Sequence, residues 1–294
     1  MTEYKVLAVG EVLFDVINGA YKLGGAPFNV AAHMAKLGNE SFILSAVGQD
    51  ELGDQIINEA EDLGVNTDLI FQNAQKKTGT VQVEFENGEP EYEIVRDVAW
   101  DYLEVDFDRI STKKWSVVAL GSLAQRSTHN QTFYHKLFSQ LQASWIYFDC
   151  NLRQEFFTKS VLEKSLHFAN IGKFNEHEIK VASKLIYDEV LFPEDFARRL
   201  NADFLIDLVV YTWGKAGSKA WYRGNMLEAT SDEVKTKDTV GAGDAFSAGF
   251  LHTWVRTKDV EESLKKGNQL GGYVASHAGA IPPYTEELTS NFNL

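Results

Sequence analysis

Late in the chain, Asp238-Thr239-Val240-Gly241-Ala242-Gly243-Asp244-Ala245-Phe246 runs into the helix-like string Ala248-Gly249-Phe250-Leu251. Two glycines let a backbone turn tightly at the mouth of a helix, so that successive N–H groups converge on one anion. A negative group held there gains ~0.3–1 kcal/mol from the helix dipole. The chemistry this pattern suits is phosphoryl transfer: Gly241, Ala242 and Gly243 cradle the phosphate, and Asp244 accepts the proton of an incoming hydroxyl. The alternative is that Asp244 caps the helix, as aspartate commonly does. Asp238, on the far side of the turn, is free to cap or to hold a cation, which leaves Asp244 for other work.

A second string, Gly24-Gly25-Ala26-Pro27-Phe28-Asn29, opens another helix near the start. Its glycines remove Cβ bulk and leave room for a polar ligand against the backbone. Asn29, one turn in, offers a donor and an acceptor to hydroxyls. Upstream, Gly10-Glu11-Val12-Leu13-Phe14-Asp15 places Asp15 just past the end of an apolar run, where open α/β sheets bind ligands. A tight strand-to-helix connection for the glycines, and a surface turn for Asp15, are the purely structural readings.

These residues need elements to position them. Residues 4–10 read as a buried strand, 24–37 as a helix stopped by Gly38, 41–47 as a strand and 51–63 as a helix closed by Gly64. From Thr78 to Val95 the period changes to two: Val81, Val83 and Phe85 alternate with polar residues, Asn87-Gly88 supplies a turn, and Tyr92 and Ile94 continue. This is a hairpin inserted in a β–α series, with one face in water or over a cleft. The series resumes with strands at 117–120, 145–149, 170–174 and 208–211, and helices at 131–141 and from Glu176. A hairpin turning at Gly224-Asn225 follows, then helices at 242–254 and 260–277. There is no low-complexity linker or repeat and only 5 prolines, which favours one continuous α/β domain with a small β excursion.

The two glycine strings resemble, in order and separation, the two signatures of the PfkB/ribokinase family of carbohydrate kinases. The resemblance runs from the first strand to Gly279-Ala280. It implies a Rossmann-like three-layer α/β/α fold over residues 1–294 with a small β-sheet lid from segments near 11–23 and 78–97. Sugar would lie under the lid against Asp15, Gly24, Gly25 and Asn29, with ATP across the Gly241–Asp244 turn. Asn175-Glu176-His177-Glu178 resembles the family's Asn-x-x-Glu element, which implies roles for Asn175 in nucleotide placement and for Glu178 toward Mg²⁺, indirectly. Thr212-Trp213-Gly214-Lys215-Ala216-Gly217 resembles the Thr-x-Gly-x-x-Gly turn beside the nucleotide, giving Thr212, Gly214 and Gly217. Asn268 stands where the family often contacts adenine. By the same analogy Asp238 and the Val240 carbonyl hold a monovalent cation such as K⁺, and the lid forms a homodimer contact.

Within the family, Gly10-Glu11-Val12-Leu13-Phe14-Asp15, Ala99-Trp100-Asp101 and Asp149-Cys150-Asn151-Leu152-Arg153 look most like fructokinases, although Cys150 stands where those commonly show proline. Arg96 and Arg153 are placed to reach a sugar hydroxyl or a phosphate, or to serve as structural ion-pair partners. The expected activity is ATP-dependent phosphorylation of D-fructose at O6. The rivals are a ribokinase, a nucleoside kinase or a keto-deoxy sugar-acid kinase, the last distinguished by a cation near the sugar. A protein that keeps the fold without catalysis is the rival of another class.

Composition narrows the partners. With 28 Lys and Arg against 42 Asp and Glu, the net charge of −14 excludes a general nucleic-acid binder and disfavours an anionic membrane surface. It does not exclude a nucleotide, because charges beyond ~8 Å are largely screened whereas a glycine turn acts at contact. No Gly-x₄-Gly-Lys-Ser/Thr string occurs, against a Walker-type NTPase. One cysteine, an acidic start without a secretory pattern and no apolar run near 20 residues lead to the expectation of a soluble cytoplasmic protein.

Overall fold

The computed structural model describes residues 4–86 and 89–292. In chain order the strands and helices are β1 (Lys5–Val9), β2 (Leu13–Ile17), β3 (Ala20–Gly24), α1 (Ala26–Lys36), β4 (Glu40–Gly48), α2 (Glu51–Asp62), β5 (Ile70–Asn73), β6 (Thr80–Glu86) and β7 (Glu89–Ile94). Next come α3 (Asp108–Ser111), β8 (Lys114–Gly121), α4 (Thr128–Gln140), β9 (Gln142–Asp149), α5 (Lys159–Phe168), β10 (Ile171–Asn175), α6 (Glu176–Tyr187) and α7 (Pro193–Phe204). The chain finishes with β11 (Leu208–Thr212), β12 (Ser218–Tyr222), β13 (Asn225–Ala229), α8 (Ala242–Thr257), α9 (Val260–Ala275) and α10 (Glu286–Asn291).

Nine strands form one sheet in the order β13-β12-β11-β10-β9-β8-β1-β4-β5. Neighbours from β11 through β5 pair in parallel, and only β12 and β13 add antiparallel pairs at one edge. Successive residues of each central strand face opposite layers. In β8, Val118 and Leu120 join the core beneath α4 to α7, whereas Val117 and Ala119 join the core shared with α1, α8 and α9. This is the three-layer α/β/α arrangement expected of apolar strands buried on both faces. The strand order reverses at β1, whose neighbours are β8 and β4, so a crevice opens beyond the carboxyl ends of β1 and β8.

The remaining strands make a four-stranded sheet, β3-β2-β6-β7, with β2 and β6 parallel and the other pairs antiparallel. Its strands start later than the expected segment at 11, because Glu11 and Val12 are buried and belong to the main body. The expected turn at Asn87-Gly88 lies outside the described residues. The β2–β3 hairpin turns at Asn18 (φ 50°) and Gly19 (φ 78°), an Asn-Gly signal as legible as the second one.

The hairpin expected to turn at Gly224-Asn225 turns one residue earlier, at Arg223 (φ 51°) and Gly224 (φ 84°), with Asn225 already paired to Tyr222. A two-residue turn that matches strand twist needs positive φ at both central positions, and that requirement outweighs residue preference at one of them.

Candidate active site

On the first side of the crevice, Asp15 sits on β2 opposite Lys22 of β3. Burial raises its carboxyl above the usual range, with the charges of Arg153 and Lys22 opposing. Gly24 ends β3, and a Cβ there would come 3.0 Å from Asp15 Oδ2. Gly25 is the N-cap of α1 at φ 108°, where a Cβ would meet the Glu11 carbonyl oxygen at 2.5 Å. Both the conformation and the close approach require glycine. Asn29 is buried, and its Nδ2 donates to Asp244 Oδ2 at 2.7 Å. That bond joins the two glycine strings across 215 residues.

Gly241, at φ 76°, is the N-cap of α8 and offers no side chain to the first turn. Ala242 and Gly243 follow, and Asp244 is the third helical residue. Its carboxylate goes to Asn29 rather than to the helix amides, so Asp244 is not the cap. Burial pushes it up to about 6, with the Asn29 hydrogen bond opposing, Asp149 adding and Lys173 and Arg153 opposing. A carboxyl poised there is partly ionised near neutrality and can take a proton.

Beneath the turn lies a group that sequence reasoning missed. Lys173, a single lysine in the apolar strand β10, donates to Asp149 Oδ1 at 3.0 Å and Oδ2 at 2.8 Å. Both side chains are almost fully buried. Burial opposes the Lys173 charge, but Asp149, Glu178 and Asp244 together hold its pKa above the ordinary value. Its Nζ would lie 3.5 Å from a Cβ on Gly243. Ser247, one turn into α8, donates to Gly243 O at 2.9 Å and lies 3.2 Å from Asp149 Oδ2, while Tyr147 donates to Ser247 Oγ. A positive charge is thereby fixed under the Gly241–Gly243 turn.

Glu11, quoted above only as part of a string, is a second buried carboxyl. Burial pushes it up to about 7, its own backbone hydrogen bond and the Arg153 charge opposing and Asp244 adding to the rise. Among the described residues Glu11 Oε2 and Asn29 Oδ1 are buried without a protein partner, a condition that a polar ligand relieves. Arg153 is exposed, yet its charge bears on Glu11, Asp15 and Asp244 alike. Arg96 is 65% exposed, paired with Glu155 at 2.5 Å and lying over Phe156. Its side chain is engaged at the surface, as the structural reading of that residue expects.

Asn175 and Glu178 form a capping box on α6: Glu178 N donates to Asn175 Oδ1 at 2.9 Å and Asn175 N to Glu178 Oε2 at 2.8 Å. Leu152 N donates to the other oxygen of Glu178. Burial lifts this carboxyl above its usual range, with Lys173 opposing. Among the described residues no three His, Cys, Asp or Glu are grouped to hold a metal.

Thr212 ends β11, and Gly214 and Gly217 shape the loop after it. A Cβ on Gly217 would strike Ala229 O at 2.3 Å, whereas one on Gly214 would meet open space. Asn268 Nδ2 donates to Ala229 O and Thr230 O, fastening α9 to the end of β13. Asp238 accepts from Val240 N at 3.0 Å and from Gly279 N at 3.1 Å, and Val240 is half-exposed. Asp238 thus ties the turn to the segment behind it.

The sequence pattern described as pfkB family carbohydrate kinase matches residues 2–287. The chain belongs to that family. As a pfkB family carbohydrate kinase it is an ATP-dependent phosphotransferase acting on a sugar. It is 27% identical over 312 residues to a fructokinase of Salmonella typhimurium, covering 98% of this chain and 99% of that one. A fructokinase of Klebsiella pneumoniae is 29% identical over 260 residues, covering 84% and 83%. The crystal structure of an uncharacterized sugar kinase, PH1459, from Pyrococcus horikoshii in complex with ATP superposes with a TM-score of 0.85 at 26% identity, covering 98% and 99%. Among the described residues of this kinase no helix is long and apolar enough to cross a membrane.

Proposed function

We propose that this kinase transfers the γ-phosphoryl group of ATP to O6 of D-fructose. The observation that carries the reading is the 2.7 Å bond from Asn29 to Asp244, which joins the helix expected to touch sugar to the carboxylate expected to take its proton. In the transfer, the hydroxyl oxygen bonds to phosphorus, the bond from phosphorus to the ADP oxygen breaks, and the hydroxyl proton passes to Asp244. The amides of Gly241, Ala242 and Gly243 neutralise the transferring group, and Lys173 supports them from below. The four-stranded sheet closes over the sugar and keeps water from taking the phosphoryl group.

Mg²⁺ bound with ATP would mask phosphate charge. Since both Glu178 oxygens accept backbone amides, Glu178 and Asn175 fit it through ordered water rather than by direct ligation. Asp238, both of whose oxygens accept backbone amides, and the Val240 carbonyl would hold a monovalent cation such as K⁺ beside the turn, and Asn268, Thr212, Gly214 and Gly217 would stand on the nucleotide side.

The fructokinase relatives support fructose. The exposed Arg153, whose charge reaches Asp15 and Asp244, favours a second reading, a keto-deoxy sugar acid whose carboxylate it would pair. ADP release measured in parallel with fructose, ribose, adenosine and keto-deoxygluconate decides between them. The highest kcat/KM is expected for fructose, with phosphate at O6 by mass spectrometry and NMR. Preference for the acid moves the assignment to the second reading, and no ADP with any acceptor removes both.

A further inference from the structure

His33 lies one helical turn after Asn29 on α1, and residues four apart share a face. It is fully buried, and its two ring nitrogens meet the segment that follows α9: Nε2 is 2.9 Å from Ala280 O and Nδ1 is 2.6 Å from the Tyr284 hydroxyl. A carbonyl only accepts, so Nε2 carries the proton and donates to Ala280. The ring is neutral, which leaves Nδ1 to accept from Tyr284. Burial favours that neutral form, pushing the pKa down to about 4, with the Ala280 bond opposing and Lys36 adding. The ring lies nearly parallel to that of Tyr284, which Tyr273 of α9 flanks edge-on while donating to Pro283 O.

Ala280 is the residue against which Gly241 packs. A Cβ on Gly241 would come 2.5 Å from Ala280 Cβ and 3.0 Å from the same carbonyl oxygen that His33 holds. One face of α1 therefore grips the anion-binding turn twice: Asn29 holds Asp244 after it, and His33 holds Ala280 behind it.

We propose that His33 is a positioning residue that sets the anion-binding turn by fixing Ala280 against Gly241. The inference rests on the reading of residues 241–243 as the phosphoryl-binding turn. Because that turn acts in the transition state more than on the sugar, loosening it lowers kcat and spares the sugar KM.

The test compares His33→Leu, which removes both bonds, with His33→Gln, which keeps a donor for Ala280, and Tyr284→Phe, which removes only the hydroxyl. His33→Leu is expected to lower kcat roughly 10- to 100-fold, the scale for misplaced catalytic geometry, with sugar KM unchanged. His33→Gln is expected to recover most of the loss, and Tyr284→Phe to cost about threefold, less than the full range. Amide NMR shifts of Gly241, Ala242 and Gly243 give a readout independent of turnover and are expected to move in His33→Leu. The proposal is overturned if those amides stay put, if they move while kcat holds, or if His33→Gln is as slow as His33→Leu. Loss of the kinase reading itself has a different signature: wild type transfers no phosphoryl group, while the amide comparison still decides what His33 does to the turn.

Discussion

The N-terminal ends of α6 and α8 face the same problem and solve it in opposite ways. Each helix starts with backbone N–H groups that have no partner inside the helix. At α6 the chain answers with its own side chains, as Asn175 and Glu178 bond reciprocally. At α8 the N-cap is Gly241, and no side chain covers the amides. Five of the other helices, α2, α4, α5, α9 and α10, also use an Asp, Ser or Thr side chain as a cap. Helices α1, α3 and α7 lack a side-chain cap as well, so what sets α8 apart is that its open end coincides with a buried lysine beneath and a partly buried carboxylate beside it. A closed end contributes stability, while the open end of α8 is the one proposed to take a ligand.

Substitutions should separate the two ends by what they damage. The largest effect is expected at Asp244→Asn, which should lower kcat by roughly 10²–10⁴ if the carboxylate takes the hydroxyl proton; near-normal turnover in steady-state kinetics would end that assignment. In the wild type, kcat/KM should rise with pH through about 6, as Asp244 loses its proton. The same variant should be more stable than wild type. The folded pKa of Asp244 is raised from 3.8 to about 6, so the native state holds more protons between those values and stability falls as pH rises across them. The amide introduced by Asp244→Asn does not titrate and has no such dependence. Allowing for the part of Asp244 that meets solvent, the gain is roughly 1–3 kcal/mol above pH 7 and vanishes near pH 4, as denaturant titrations at the two pH values would show.

Gly241→Ala comes next. Its Cβ must enter the space of Ala280 at positive φ, a cost of about 2 kcal/mol in unfolding free energy together with lost turnover. A variant with wild-type melting and kcat would mean that the open end needs no glycine. The smallest effect belongs to the closed end: Asn175→Ala should cost about 1 kcal/mol, as for other caps, and leave kcat within a few-fold. A collapse of kcat at unchanged stability would instead mean that Asn175 acts on the nucleotide directly rather than through the ordered water of a bound Mg²⁺.

How much of this was legible follows from the same contrast. Glycines at positive φ and an aspartate beside them leave a mark in residue type, so the α8 turn and the start of α1 could be found from the string alone. The Asn-x-x-Glu element was equally visible, but residue types do not say whether an asparagine and a glutamate three apart serve a ligand or each other. Lys173 and His33 left no mark, since a lone lysine in a strand and a lone histidine in a helix acquire meaning only from what packs against them. Helices α5 and α7 escaped the periodicity reading, although Thr158 and Pro193 mark their starts. Strands β2 and β3 were implied by resemblance, whereas their Asn18-Gly19 turn was an available local signal.

The bonds from α1 to the far end of the chain also govern when the molecule becomes an enzyme. Asn29 and His33 find their partners 215, 247 and 251 residues later. Contacts so distant in sequence form late, and synthesis proceeds at roughly 5–20 residues per second. Until α8 has left the ribosome, the face of α1 that will meet it has no helix to close it, and Val30 and Met34 of their shared core stay open to water. A nascent chain ending before Ala280 would hold both glycine strings and still lack the backing of Gly241.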